Sequence, residues 1–231
     1  MKTMLVLSMG ALLLAGTLSA QTPVPEWQAG VDKVKTLIQS NPAQASEEAG
    51  ELLKGKNKKN VDLVTSVAHV YLDAGKITEA QEYLAMAKKA NNKDPKVSVL
   101  EGDIALAQKN IGQACQLYEQ AIYFDPNCKE AYLKYAQAYK SASPTQAIEK
   151  LEQLKAVDPN CLEADRELAE VYYSGNRFGK AAEMYAKFID TPLATEDDML
   201  KYAFALFLNH DFEKSLQVAQ KGLQKNARHA A

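Results

Sequence analysis

Apolar residues recur along most of this chain at the spacing that is typical of amphipathic α-helices. Near the middle, Tyr132, Tyr135 and Ala136 follow the pattern i, i+3, i+4, which places them on one face of a helix. After a turn, Ala147 and Leu151 begin a second stripe of the same kind. The pattern therefore predicts two neighbouring helices, each with one apolar face that has to pack against another element.

This pair of helices recurs with a nearly constant period. Small residues return at intervals of 33 or 34 residues, in two registers that advance together. Small residues allow two helices to approach closely. Because one hairpin cannot cover its own apolar stripes, we predict that successive hairpins stack into a solenoid. The two registers are Ala68, Gly102, Ala136, Ala169 and Ala203, and Ala80, Ala114, Ala147, Ala181 and Ser215.

The period and the order of residue types resemble the tetratricopeptide repeat family. The family's signature of small, aromatic and proline residues is similar to the segments AYLKYAQAY and QAIEKLEQLKAVDP, and to ADRELAEVYYSGNRFGKAAEMYAKF. The resemblance implies an all-α fold, a right-handed superhelical solenoid of antiparallel helix pairs. It implies five repeats in residues 60–231, preceded in residues 21–59 by a degenerate N-terminal helical hairpin and a basic linker.

Proline residues are predicted to mark the joints of the array. The tetrapeptide Asp-Pro-Asn-Cys occurs twice, 33 residues apart. Because proline cannot continue a helix, Pro126 and Pro159 are expected to separate successive repeats, with a neighbouring Asp or Asn as the cap of the next helix. Asp94 and Pro95 are predicted to be the cap and the first residue of another helix.

The final helix is predicted to close the array. Leu216, Ala219 and Leu223 form an apolar stripe, whereas Lys214 and Lys221 lie on the other side. We expect the stripe to face inward and the lysines to give the solenoid the polar end that repeat arrays need for solubility.

Three cysteines raise the question of a disulfide. Cys128 and Cys161 occupy equivalent places in adjacent repeats, about 10 Å apart at the helix packing distance, whereas a disulfide needs Cα atoms within about 7 Å. Cys115 opens the helix that leads to Cys128 and lies roughly 20 Å from it along the axis. We therefore predict three free thiols.

Charge and motifs limit the possible chemistry. The chain has 27 Lys and Arg against 29 Asp and Glu, and its formal net charge of -2 provides no field that favours nucleic acid. The spacings of metal sites, phosphate-binding loops and nucleophile motifs do not occur in the sequence. Its three histidines, His69, His210 and His229, are scattered. We therefore predict no cofactor, no metal, no nucleic-acid partner and no enzymatic activity.

The first 20 residues differ in kind from the rest of the chain. Lys2 precedes an apolar run from Met4 to Ala20, which is the pattern of a secretory signal peptide in residues 1–20. A run of this length is at the lower limit for spanning a bilayer, so cleavage is favoured over retention as an anchor. We expect a mature chain that is not inserted in the membrane and that is periplasmic or secreted.

The resemblance also implies a binding groove, because the first helix of each repeat lines the concave face of such arrays. Only isolated basic residues, Lys140 and Arg166, occupy groove positions, so the repeated Lys and Asn of a carboxylate-binding groove are missing. The last row differs, since Leu200, Phe204 and Phe207 form an apolar stripe with spacing i, i+4, i+7. The predicted protein-binding residues are Leu200, Phe204, Phe207, Tyr173, Arg166, Leu133 and Gln137.

These features favour an exported, non-enzymatic scaffold or adaptor that binds a protein or peptide partner in its concave groove. Two alternatives stay open. The C-terminal apolar row could be buried between two copies of a structural, self-associating protein, as a homodimer. The chain could also be a regulatory module of an enzyme complex in the cell envelope, which only the identity of a partner distinguishes from an adaptor.

Overall fold

A computed structural model describes residues 24–229, with side chains up to residue 224. Within this range it contains twelve α-helices, one short 3₁₀ helix at Gly55–Lys59 and no β-strand. The predicted signal peptide, residues 1–20, lies outside the described residues. The α-helices are α1 Gln28–Ser40, α2 Pro42–Leu52, α3 Val61–Asp73, α4 Ile77–Asn91, α5 Pro95–Ala107, α6 Ile111–Phe124, α7 Lys129–Tyr139, α8 Pro144–Val157, α9 Leu162–Ser174, α10 Phe178–Phe188, α11 Glu196–Leu208 and α12 Phe212–His229.

The helices pack in consecutive antiparallel pairs that stack into a solenoid. Each even-numbered helix packs against the odd-numbered helix before it, and from α4 to α10 also against the odd-numbered helix that follows. The first helices of adjacent pairs also touch, as α3 does with α5 and α7 with α9. This arrangement confirms the predicted all-α solenoid, with five pairs from α3 to α12 after the α1–α2 hairpin.

Small residues lie where the two helices of a pair approach each other. Nine of the ten residues in the two predicted registers are alanine or glycine, and all nine are buried. The tenth, Ser215, is half-buried, and its hydroxyl donates a hydrogen bond to the carbonyl oxygen of Ala203 at 2.7 Å. These contacts fix how each second helix sits on the first helix of its pair.

Gly102 shows how close the helices come. A Cβ atom at this position would lie 2.5 Å from Cε1 of Tyr118, on the second helix of the same pair. The Tyr118 ring is fully buried, and its hydroxyl donates a hydrogen bond to Asp103 at 2.7 Å. Because the ring is held at both ends, it has little freedom to move away from an added methyl group.

The helix caps follow the prediction at Asp94 but not in the Asp-Pro-Asn-Cys segments. The Asp94 side chain accepts a backbone hydrogen bond at 3.0 Å, and Pro95 is the first residue of α5. The N-cap of α7, however, is Cys128, whose side chain makes no capping hydrogen bond. Asp125 instead accepts a backbone hydrogen bond within the turn before the helix, so its side chain stabilises the turn and is one residue group too early to act as the cap.

The three cysteines are free thiols in the structure. Cys115 and Cys161 are buried, whereas Cys128 is half-buried. Burial raises the pKa of the Cys115 thiol to about 11, with a smaller opposing effect from a hydrogen bond to Tyr139. A thiol with a raised pKa is a weak nucleophile, so Cys115 acts as a small core residue.

The last helix does not close the array as predicted. Leu216 and Leu223 are 61% and 70% exposed. Ser215, Val218 and Gly222 lie on the side of α12 that packs against the rest of the protein. The prediction was wrong because the small-residue register continues to Ser215, and this contact rotates both leucines to the far side of the helix.

Replacement of Gly102 by alanine is predicted to destabilise the fold. The added methyl group overpacks the contact with Tyr118, which costs about 1–3 kcal/mol in the free energy of unfolding. Gly50→Ala is the matched control, since Gly50 lies in α2 and a Cβ atom there meets nothing within 4 Å. Urea denaturation should show a loss for Gly102→Ala and no loss for Gly50→Ala. Equal effects of the two substitutions would contradict the close approach.

Candidate protein-binding surface

The predicted apolar row lies exposed on the last first helix of the array. Leu200, Phe204 and Phe207 of α11 are 65%, 50% and 52% exposed. Other apolar residues of the same helix, Met199 and Tyr202 among them, are buried in the core. The helix is therefore apolar on two sides, and the fold uses only one of them. That the exposed side binds a partner stays a prediction.

Aromatic side chains of the preceding repeat support Phe204. The centroid of its ring lies 6.4 Å from that of Tyr173 and 6.5 Å from that of Phe178. Tyr173 and Phe178 contact each other edge to face, with centroids 5.7 Å apart. Aromatic pairs in such geometries contribute about 0.5–1.5 kcal/mol beyond their burial. The structure thus brings Tyr173 and Phe204, two of the predicted residues, into one cluster.

Arg166 is engaged within the protein. Its Nε and Nη2 atoms lie 3.1 Å from the two carboxylate oxygens of Asp198, which is buried. Asp198 also caps α11, because its Oδ2 accepts hydrogen bonds from the backbone N–H and the hydroxyl of Thr195 at 2.7 and 2.6 Å. The Arg166 guanidinium therefore neutralises a buried charge and positions the helix that carries the apolar row.

The central part of the groove offers less apolar surface than the C-terminal row. Leu133 is half-buried against the core, and Gln137 is exposed and donates a side-chain hydrogen bond to Glu167 at 2.7 Å. Thr65 and Val99, which the repeat register also assigns to the groove, are buried. They are covered because the first helices of adjacent pairs pack against each other there.

Sequence reasoning missed an acidic centre in the N-terminal half of the groove. Asp103 of α5 is mostly buried, and its Oδ2 lies 3.0 Å from Nε2 of His69 on α3 and 2.9 Å from Nζ of Lys134 on α7. The Tyr118 hydroxyl donates to the other oxygen at 2.7 Å. One carboxylate thus connects three successive first helices, and His69 is part of this network.

A second centre of the same design lies near the C-terminal end. Glu170 of α9 accepts a hydrogen bond from the Tyr185 hydroxyl at 2.7 Å, and its two oxygens lie 3.0 and 2.9 Å from Nζ of Lys201 on α11. In both centres the tyrosine follows the acid by 15 residues and the lysine follows it by 31. This recurrence of opposite charges near the repeat period was the signal in the sequence that could have revealed both centres.

The environment of Asp103 favours its charged form. Burial by itself raises the pKa of this carboxyl group, but the hydrogen bond to His69, the charge of Lys134 and the Tyr118 hydroxyl together outweigh it. The pKa of Asp103 therefore lies below its ordinary value. Burial and the neighbouring carboxylate raise the pKa of Tyr118, so its hydroxyl stays protonated and serves as a hydrogen-bond donor.

Comparison with known proteins identifies the repeat. A family model described as the tetratricopeptide repeat matches residues 68–128 and 137–194, together about half of the chain. The chain belongs to the tetratricopeptide repeat family. Proteins of this family bind protein partners, which makes the chain a protein-interaction scaffold in its general type. Comparison with the curated proteins finds no match.

Several solved structures share the fold. PilW, a widely conserved type IV pilus biogenesis factor, has a TM-score of 0.62 at 18% identity, over 87% of this chain and 90% of that chain. PilF of Pseudomonas aeruginosa has a TM-score of 0.63 at 17% identity, over 84% and 89%. YrrB, described as a tetratricopeptide repeat protein with an unusual peptide-binding site, has a TM-score of 0.55 at 13% identity, over 76% and 91%. At these identities the likeness concerns the fold alone.

The surface of this tetratricopeptide repeat protein suits contact with a polypeptide. An apolar row beside an aromatic cluster can bury apolar side chains of a partner, and the paired charges around it can form a polar rim. Among residues 24–229, no cluster of His, Cys, Asp or Glu is arranged to hold a metal ion. In the same range, none of the helices has the length and apolar character needed to span a membrane.

Replacement of Asp103 by asparagine is predicted to destabilise the protein in a pH-dependent way. The folded pKa lies below the unfolded value of about 4, so the carboxylate stabilises the fold above that pH, and this contribution is lost as the pH falls through the folded pKa. At pH 7, Asp103→Asn should lower the free energy of unfolding by about 1–3 kcal/mol, because the charged hydrogen bonds are lost.

Denaturation of both proteins between pH 7 and pH 3 measures this effect. The difference between wild type and Asp103→Asn should shrink toward pH 3, whereas the exposed Asp73→Asn control should change stability by less than about 0.5 kcal/mol throughout. A difference that is the same at both ends of the range would show that the charge of Asp103 does not stabilise the stacked helices.

Proposed function

We propose that this tetratricopeptide repeat protein is an exported, non-enzymatic scaffold or adaptor that binds a protein or peptide partner at the C-terminal end of its concave face. The observation that carries the proposal is the exposed apolar row of Leu200, Phe204 and Phe207. Two aromatic side chains and a leucine expose roughly 300 Å² together, an area at which apolar patches on monomers are often functional.

Aromatic residues in the row favour binding of a protein over a purely structural role. Phe204 is braced by Tyr173 and Phe178, so its position is set before any partner arrives. Preorganised aromatic side chains lose little conformational freedom on binding and commonly dominate the binding energy of protein interfaces. Of the other predicted contact residues, Leu133 and Gln137 would extend the site toward the middle of the groove.

Export rests on residues 1–20, whose sequence has the pattern of a signal peptide. Cleavage would place the scaffold in the periplasm or outside the cell. The similarity to PilW and PilF, of which PilW is described as a pilus biogenesis factor, supports such a place for a scaffold of this size. In that setting the chain could serve as an adaptor or as the regulatory module of an envelope enzyme complex.

Self-association is the second candidate function, and the same exposed row favours it. Two copies that pack through Leu200, Phe204 and Phe207 would remove these side chains from water in a homodimer. Sedimentation equilibrium across the micromolar range distinguishes the candidates, since a scaffold with a free site remains monomeric and a structural homodimer shows a mass that rises with concentration.

A double substitution in the row is predicted to abolish partner capture. Wild-type protein and a Phe204→Ser, Phe207→Ser variant serve as baits in envelope extract, with recovered proteins identified by mass spectrometry. Tyr123→Ser is the matched control, because Tyr123 is an aromatic residue that is 83% exposed on α6, outside the row. Circular dichroism checks that all three proteins keep the same helicity.

The wild type and the Tyr123→Ser control should recover the same protein, and the double variant should recover at least about tenfold less of it, since each buried phenylalanine contributes about 1.5–3 kcal/mol. Undiminished recovery with the double variant would contradict the site, and would move the search to Leu133 and Gln137 in the central groove.

A further inference from the structure

The internal joints of the array show what covers the far side of each helix pair. In the pair α9–α10, Tyr173 and Phe178 contact Phe204 of α11, and Ala182 and Ile189 are buried. Both helices of the pair thus contribute to one apolar face, and the next first helix lies over it. The same contact of a second helix with the following first helix recurs between α4 and α5, α6 and α7, and α8 and α9.

The corresponding face of the last pair is uncovered by any described helix. Its residues lie 34 positions after those of the pair α9–α10, and they are at least half exposed. The first two of them have rings 5.4 Å apart, much like the rings of Tyr173 and Phe178 at 5.7 Å. The last pair therefore carries a complete repeat-to-repeat face. Its members are Phe207, Phe212, Leu216 and Leu223, which are 52%, 55%, 61% and 70% exposed.

We use the term end surface for these four residues together with Leu200 and Phe204. Each of the six exposes roughly 100 Å², so the end surface amounts to about 600 Å², at the upper limit of the largest apolar patches on monomers. At the opposite end of the array, the exposed residues of α1 include Asp32, Lys33 and Lys35. Stacking of copies end to end would place charged residues against apolar ones and is unfavourable for this reason.

We propose that the end surface binds an amphipathic α-helix of a partner protein, in the position that the first helix of one more repeat would take. The proposal rests on the function proposed above, because Leu200, Phe204 and Phe207 belong to both sites, and it adds the conformation of the partner. Burial of an apolar helix face in a groove between two helices is a common mode of peptide recognition.

The residues of α11 further define the helix that fits. Arg166 and Glu170 of α9 reach forward to charged residues of α11. Thirty-four residues later, Leu200 and Phe204 stand in these two positions. A helix on the end surface therefore meets apolar side chains where α11 meets charges. It should carry apolar residues at those places and a small residue at its centre, as the first helices of the array do.

A synthetic helix can serve as the probe. Residues 129–141, which include α7, carry the small residue Ala136 within an apolar face, and Ala131 already stands where α11 has its charged Asp198. Lys134→Leu makes the second of these positions apolar as well. A hydrocarbon staple between the exposed positions 130 and 137 stabilises the isolated helix, and a fluorescent label reports binding to the full chain by anisotropy.

The stapled Lys134→Leu peptide should bind saturably, with a Kd below about 100 µM. Binding should weaken at least about tenfold when the protein carries Leu216→Glu, which places a charge in the end surface but outside the groove row. The Tyr123→Glu protein is the matched control and should bind like wild type. A peptide with the additional change Ala136→Trp should also bind at least about tenfold more weakly, because the helix can no longer approach closely.

Three results would overturn the proposal. The first is the lack of saturable binding, and the second is binding that Leu216→Glu leaves unchanged. The third is a dimer of the free protein that Leu216→Glu dissociates in light scattering, which would assign the end surface to a second copy.

The Leu216→Glu variant also separates this proposal from the groove function. If it captures the envelope partner like wild type while the Phe204→Ser, Phe207→Ser variant does not, the groove function stands and the helix proposal fails. Loss of capture with both variants supports both. Normal capture with both would contradict both sites.

Discussion

Each helix pair of this protein has two apolar faces and can cover only one of them with its own helices. The other face is covered by the first helix of the next pair, so the pairs depend on one another for stability. The close approach that both contacts need accounts for the small residues. At Gly102, even a methyl group would meet the ring of Tyr118. The same constraint accounts for the C-terminal end, where Leu216 and Leu223 of the last pair are exposed.

Paired charges add a register to this apolar stacking. Asp103 and Glu170 each hold a tyrosine of their own pair and a lysine of the next first helix. A shifted stack would leave these largely buried carboxylates without partners, which costs several kcal/mol when a buried charge loses its counterpart. The last pair departs from this plan, since Leu200 and Phe204 take the places of charged residues. Its outer face is therefore selective for apolar contacts and lacks the charges that specify stacking within the array.

The fold was predictable because the helical spacing and the 34-residue period are both visible in one sequence. The centre at Asp103 was not predicted, since its partners lie on three other helices and become neighbours only when the pairs stack. The rotation of α12 was predicted wrongly for a related reason. Leu216 and Leu223 have the spacing of an inward stripe, and only the contact of Ser215 with Ala203 shows which side packs. Side-chain exposure in the C-terminal row followed from its apolar spacing, whereas the engagement of groove residues in ion pairs required the structure.

Native-state amide hydrogen exchange tests most directly whether each pair depends on the helix that follows it. The second helices α10 and α12 are equivalent by repeat, but only α10 is covered by a following first helix. The terminal helix α1 is a control for fraying, because its apolar side is covered and its exposed side is polar. The dependence predicts high protection in α10, intermediate protection in α1 and the lowest protection in the interior of α12. Protection of α12 equal to that of α10 would contradict it, because the last pair would then be stable with its second face open to water.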